Sequence, residues 1–139
     1  MIILLALPLL LLAATPAWAQ PREFNCVGAE QLEDDNFAIP FAARAATPGE
    51  EARNAIAAAV ELAKREERRN ICVLGHALAT EGGAQTGSRL AARRARAVAD
   101  ALSAAGIERD RVRAEARVVG FTRSTAARPA RGATIIILP

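Results

Sequence analysis

The sequence predicts an α+β domain, with two helices packed on one face of a mixed sheet and elements in the order β-α-β-α-β-β. Three observations predict it. Apolar residues recur at helical spacing over residues 52–63 and 90–105. Residues 71–74 (ICVL) and 134–138 (TIIIL) are continuous apolar runs, the pattern of strands covered on both faces. Residues 111–119 alternate, with Val112, Ala114, Ala116 and Val118 on one side and Arg113, Glu115 and Arg117 on the other, as a half-covered strand does. Strands interleaved with helices in this way build a layered sandwich.

Each element has its own justification. Residues 20–36 (QPREFNCVGAEQLEDDN) are polar and end acidic, and read as an extension packing against the domain edge. Residues 37–41 (FAIPF) give a short strand, and Pro40 argues for an edge position or an early end. Thr47-Pro48-Gly49-Glu50 has the form of a capping box, with Thr47 as N-cap and Pro48 at the first helical position. The first helix is then expected to run to about Arg68, burying Ala52, Ile56, Ala59, Val60 and Ala63. Glu61 and Arg65 are spaced to pair on its other face. Arg68 and Arg69 suit its negative C-terminal end. After the 71–74 strand, residues 75–87 read as a glycine-rich loop. The second helix is expected from about Ser88 to Ala105, with Gly106 at C′. Residues 120–132 form a polar loop before the closing strand.

Residues 1–19 (MIILLALPLLLLAATPAWA) stand apart. They carry no charged side chain and end in Ala17-Trp18-Ala19, a small-x-small cleavage pattern, so they read as a secretory signal peptide. Pro8 and the shortness of the apolar run argue against a permanent span, and no membrane span is expected after cleavage. The expected product is an exported chain of about 120 residues, enough for one modest core. All charged residues follow the signal, so the net charge of +3 belongs to the mature chain. Every basic residue but Lys64 is arginine, and alanine is abundant, which fits a GC-rich genome at least as well as a basic binding face. Export and the low aromatic content (four Phe, no Tyr) exclude nucleic acid as the expected partner.

Cys26 and Cys72 are the only cysteines. In an oxidising compartment they form either one bridge or two free thiols with Cys72 buried in its strand. A bridge would close a loop of roughly 45 residues, worth on the order of 4 kcal/mol in the chain-entropy account. Two Cys and one His show no ligand spacing, so neither metal nor cofactor is expected.

Placed on a wheel at 100° per residue, the second helix turns Ala91, Val98, Leu102 and Ala105 inward. Arg89, Arg93, Arg96 and Asp100 face water. Arg94 falls between Leu90 and Val98 on the apolar flank. A guanidinium there must be paired or reach solvent along its stem. One reading has it grip a ligand carboxylate at the mouth of a cleft. The others are an internal partner, of which Glu81 is the nearest by sequence, or snorkelling near the helix start. His76, the only histidine, reads as structural, because no Ser, Cys or carboxylate is placed to complete a relay. Residues 82–87 (GGAQTG) lack the Lys-Ser/Thr of a phosphate loop. No enzyme is expected.

Several landmarks resemble the OmpA-like domain, the peptidoglycan-binding module of envelope proteins. Residues 47–65 (TPGEEARNAIAAAVELAKR) resemble its first helix. Residues 71–76 (ICVLGH) are similar to its strand ending Gly-His-Thr-Asp. Residues 90–102 (LAARRARAVADAL) resemble its Leu-Ser-x-x-Arg-Ala-x-x-Val helix, and Gly106-Ile107 through Val112 its Gly-Ile turn and Arg-Val strand. The resemblance covers residues 37–138 and implies an OmpA-like domain over 37–139. In the family the aspartate and the helix arginine hold the charged end of diaminopimelate in a peptidoglycan stem. Here Gly75, His76 and Arg94 keep the pattern, while Ala77 and Leu78 replace Thr-Asp. Gly87 replaces a loop asparagine, Ala42 the polar residue after Phe41, and Arg131-Gly132-Ala133 the late Asn-Arg-Arg. Leu78 cannot accept a hydrogen bond, and Glu81 could substitute if its segment folds back.

Two functions follow from the resemblance. The first is non-covalent peptidoglycan binding in the periplasm or at the outer membrane, through Arg94, Gly75, His76 and Glu81. The second is a scaffold that has lost peptidoglycan and serves as an envelope protein–protein module. Loss of the aspartate favours the second, and retention of Arg94 the first.

Overall fold

The computed structural model describes residues 22–81, 83–118 and 131–139. The signal-peptide expectation for residues 1–19 and most of the polar loop expected over 120–132 lie outside the described residues. The elements are β1 (Asn36–Ile39), α1 (Arg53–Arg65), β2 (Ile71–Ala77), α2 (Gly83–Ala104), β3 (Val112–Val118) and β4 (Gly132–Ile137). This is the expected α+β order. The sheet runs β1-β4-β2-β3. β2 and β3 are parallel and joined through α2, and β4 runs antiparallel to both its neighbours. β1 is an edge strand that stops before Pro40, at Ile39 rather than at residue 41. A proline cannot donate to the ladder, so pairing ends there.

The continuous runs in β2 and β4 account for the layers. Ile71 and Val73, with Ile135 and Ile137, face the helices and pack on Ala59, Ala63, Ala95, Val98 and Leu102. Alanine at so many helix contacts lets both helices lie close to the sheet. The opposite side of the same strands carries Cys72, Leu74 and Ile136. That second face also needs cover, and the N-terminal segment supplies it with Cys26 and Ala29, flanked by Phe24 and Leu32. The extension therefore lies over a sheet face, not against the domain edge as its polarity suggested. A disulfide joins Cys26 to Cys72, with 5.8 Å between their Cα atoms, and pins the segment to the central strand.

The helix ends differ from expectation. The Thr47 capping box does not form. Glu50–Ala52 makes a 3-10 turn after Gly49 without a side-chain cap, and the Ala52 N–H donates to the Gly49 carbonyl at 3.2 Å. Glu50 instead pairs with Arg53 at 3.0 Å. α1 stops at Arg65, three residues before Arg68. Its last carbonyls find a donor the sequence reading missed. Arg111, 1% exposed, gives Nη2 hydrogen bonds to the carbonyls of Ala63 and Glu66, both at 2.9 Å. Arg69 does not serve the helix end. It pairs with Asp35 at 2.7 Å and donates to the carbonyls of Ile137 and Leu138. The expected Glu61–Arg65 pair is present at 3.0 Å. α2 ends as read: Gly106 is left-handed at φ 100°, and the N–H of Ile107 reaches back to the Leu102 carbonyl at 3.0 Å. That is a Schellman closure.

β2 and α2 approach so closely at Gly75 that a Cβ there would overlap the Ala91 carbonyl oxygen. Gly75→Ala is therefore expected to lower stability by at least ~1–3 kcal/mol, read as an earlier urea midpoint at unchanged slope. Reducing the Cys26–Cys72 bridge, or replacing both cysteines by alanine, should cost about 2–4 kcal/mol. Thermal melts with and without reductant check this, and identical midpoints would contradict it.

Candidate functional site

The site begins at the end of β2. The loop expected over residues 75–87 is mostly regular structure. β2 continues through Ala77, a 3-10 turn spans Ala79–Glu81, and α2 starts at Gly83. Gly87, expected in that loop, is buried inside the helix. Close packing of α2 on β2 overrides the poor helix propensity of the glycines.

Arg94 is where the wheel put it, on the buried flank, and is 0% exposed. Its guanidinium has five N–H donors, and five protein acceptors take them. Nε donates to the Ala45 carbonyl at 2.8 Å. Nη1 donates to the His76 carbonyl at 2.9 Å and to Glu81 Oε1 at 3.2 Å. Nη2 donates to Glu81 Oε2 at 2.7 Å and to the Ala42 carbonyl at 3.3 Å. The Phe41 ring centroid lies 5.4 Å from the guanidinium carbon, a cation–π distance. Of the three readings of this arginine, the internal partner is the one present.

Glu81 is equally committed. Its side chain is 3% exposed. Besides Arg94 it accepts the N–H of Leu78 at 3.0 Å and of Arg44 at 2.8 Å. Arg131 Nε approaches Oε1 at 3.3 Å. The 3-10 turn thus folds the carboxylate back over the backbone of Leu78. The hydrogen bond from Arg94 holds the Glu81 carboxyl well below its ordinary value of 4.5, with help from the Arg44 and Leu78 N–H groups and against the cost of burial. The pair is charged throughout the physiological range. It ties together the segment after β1, the end of β2, the 3-10 turn and α2.

The other expected site residues play supporting parts. Gly75 allows α2 to close on β2. His76 contributes its carbonyl to Arg94, while its ring, on the Cys72 and Leu74 side of the strand, lies 3.2 Å from Thr134 Oγ1. Ring and guanidinium therefore sit on opposite faces of the sheet. The carbonyls of Ala42 and Ala45 and the left-handed Arg44 (φ 62°) were not legible as site components, because backbone groups leave no mark on residue type. Phe41 reads as a strand residue in the sequence, and its place under the guanidinium depends on tertiary geometry. Among the described residues no cluster of three or more His, Cys, Asp or Glu could hold a metal.

This architecture, a four-stranded mixed sheet carrying two helices with an arginine on the inner flank of the second, defines an OmpA-like α+β domain. A profile of the OmpA family matches residues 41–132, and the chain belongs to that family. Solved structures agree on the fold. The OmpA-like domain of FopA1 from Francisella tularensis subsp. tularensis SCHU S4 superposes with a TM-score of 0.58 at 22% identity, over 72% of this chain and 67% of that one. The peptidoglycan-associated lipoprotein from Burkholderia pseudomallei gives 0.55 at 17% identity, over 73% and 87%. The cell wall anchor of the T6SS from Pseudomonas aeruginosa gives 0.52 at 21% identity, over 71% and 75%. No curated protein matches the chain.

Removing one partner of a buried pair strands the other charge, at a cost of about 3–5 kcal/mol. Glu81→Gln should lose stability on that scale at pH 7. Because the folded carboxyl titrates below the unfolded one, its stabilisation is complete above the ordinary carboxylate range and is lost as pH falls through the lower, folded value. The wild type should therefore lose stability on acidification below about pH 4.5, and the variant should show a shallower acid limb. Parallel limbs in denaturation curves taken between neutral and acid pH would contradict this.

Proposed function

We propose that this chain is an exported, non-enzymatic envelope module that uses the OmpA-like fold as a protein–protein scaffold and does not grip a peptidoglycan stem through Arg94. One observation carries this reading: all five donors of the Arg94 guanidinium are taken by acceptors of the same chain, with no exposed surface left on the residue. A diaminopimelate carboxylate would have to displace Glu81 and leave that acid buried beside it, an exchange that gains no ion pair. The expected residues Gly75, His76 and Glu81 act as supports for the closed arginine. Export to the periplasm rests on the signal-like residues 1–19, and the Cys26–Cys72 bridge fits an oxidising compartment. Among the described residues no helix is long and apolar enough to cross a membrane.

A second reading keeps peptidoglycan. It is supported by family membership and by neighbours named as a peptidoglycan-associated lipoprotein and a cell wall anchor. On this reading Glu81 takes the place of the missing aspartate at position 78 and swings aside to admit the stem.

Co-sedimentation of the purified protein with sacculi decides between them. The scaffold reading expects the protein to stay in the supernatant at physiological salt while a peptidoglycan-associated lipoprotein pellets. Retention of the wild type that a diaminopimelate-containing stem peptide competes away, and that Arg94→Lys loses, would overturn it.

A further inference from the structure

β3 is the second edge of the sheet. It pairs with β2 alone, and nothing among the described residues pairs with its outer side. The strand is seven residues long, and Arg113 and Ala114 are exposed. An edge of this kind offers a row of N–H and C=O groups to an incoming strand. Between it and α2 runs a groove of about 280 Å³, floored by Ala99, Val112 and Ala114 and rimmed by Arg96, Asp100 and Arg109.

The rims are basic, and the charge is unevenly used. Arg22, Arg53, Arg65, Arg69, Arg109 and Arg111 each have an acidic partner. Arg89, Arg93 and Arg96, all exposed on α2, have none among the described residues. Arg89 and Arg96 are seven residues apart, which puts them within about 20° of one another on the helix and about 10 Å apart along it. Arg96 lines the groove beside β3, and Arg89 follows on the same flank of the helix two turns away. On the opposite face of the strand, Arg113 and Arg117 flank Glu115 at 3.0 and 2.7 Å. Arg109, at the start of the groove, is shared with Asp100 at 3.5 Å. Arg117 also meets Glu30 at 3.6 Å. Asp100, Glu115 and Glu30 thus answer Arg109, Arg113 and Arg117, and Arg89 and Arg96 are left without an acidic partner among the described residues.

We propose that the free edge of β3 is a strand-addition site for an extended, acidic segment of a partner protein. The backbone row supplies register. Side chains of an added strand point alternately to its two faces and recur about every 7 Å on each, so a run of carboxylates on the helix-side face would span the ~10 Å between Arg89 and Arg96. A second copy of this chain is a poor occupant, since it would bring the same basic rims against each other. A neutral strand would leave the arginines unanswered. The proposal rests on the scaffold reading above and names the kind of partner.

The test uses the mature protein with a synthetic eight-residue peptide alternating glutamate and valine, and a lysine–valine peptide as control. Affinity is followed by fluorescence polarisation, and contact by amide hydrogen exchange. The expected result is binding of the acidic peptide alone, weakened at least tenfold by raising salt. Exchange should slow at amides within Val112–Val118. The exposed double variant Arg89→Glu/Arg96→Glu, with unchanged circular dichroism, should lose at least tenfold in affinity. Equal binding of both peptides, no binding of either, or binding without protection in β3 overturns the proposal. So does arginine-dependent sedimentation with phosphatidylglycerol vesicles in place of peptide binding, and so does self-association through β3. The sacculus assay is read through stem-peptide competition and Arg94→Lys, and this one through Arg89 and Arg96, so failure here leaves the scaffold reading standing and failure there is seen separately.

Discussion

The Arg94–Glu81 pair is the constraint around which the rest of this domain is arranged. An arginine on the inner flank of α2 has no access to water, so its charge has to be answered within the fold. The answer determines local structure on every side. The segment after β1 turns its Ala42 and Ala45 carbonyls inward, β2 ends with the His76 carbonyl aimed at the guanidinium, and the chain then makes a 3-10 turn that returns a carboxylate to the same spot. A buried ion pair of this kind adds little net stability compared with an apolar substitute, and removing half of it is costly. Its value lies in fixing the register of four segments at once.

The same geometry changes what the family arginine can do. A residue that binds an external carboxylate must keep donors available, and here a neighbouring acid has consumed them. Glu81 lies three positions beyond Leu78, and the turn brings its carboxylate back to the Leu78 N–H. The turn thereby answers Arg94 from within the chain. The chain has the family's architecture, and its buried arginine holds several segments of that architecture together. On the proposed scaffold role, contacts with partners fall to other surfaces, notably the basic border of β3.

Much of the fold was legible in the sequence because burial imposes periodicity. The runs at 71–74 and 134–138 announced central strands, the alternation at 112–118 an open one, and the wheel of α2 separated Arg94 from the exposed Arg89, Arg93 and Arg96 without any structure. Errors collected where tertiary contacts outrank local signals. Thr47-Pro48-Gly49-Glu50 has a capping sequence, yet the chain enters α1 through a 3-10 turn. Gly83 and Gly87 looked like loop and lie in helix because α2 must cover β2. The placing of residues 22–35 failed for a similar reason: polarity suggested an edge, while the second face of β2 and β4 required a lid. Of the site, Arg94 and its candidate partner Glu81 were readable, since a misplaced charge stands out. The carbonyls of Ala42, Ala45 and His76 were not, and neither was Arg111, whose partners are main-chain groups that any residue could supply.

The central claim is that Arg94 is sealed by its own chain. Side-chain NMR of the ¹⁵N-labelled mature protein reads this directly through the Arg94 Nε–H resonance. A sealed guanidinium predicts a dispersed signal that exchanges with solvent far more slowly than those of Arg89 or Arg93, and that does not move when a diaminopimelate-containing stem peptide is added. A rapidly exchanging Arg94 signal that shifts and saturates with the peptide would contradict the account.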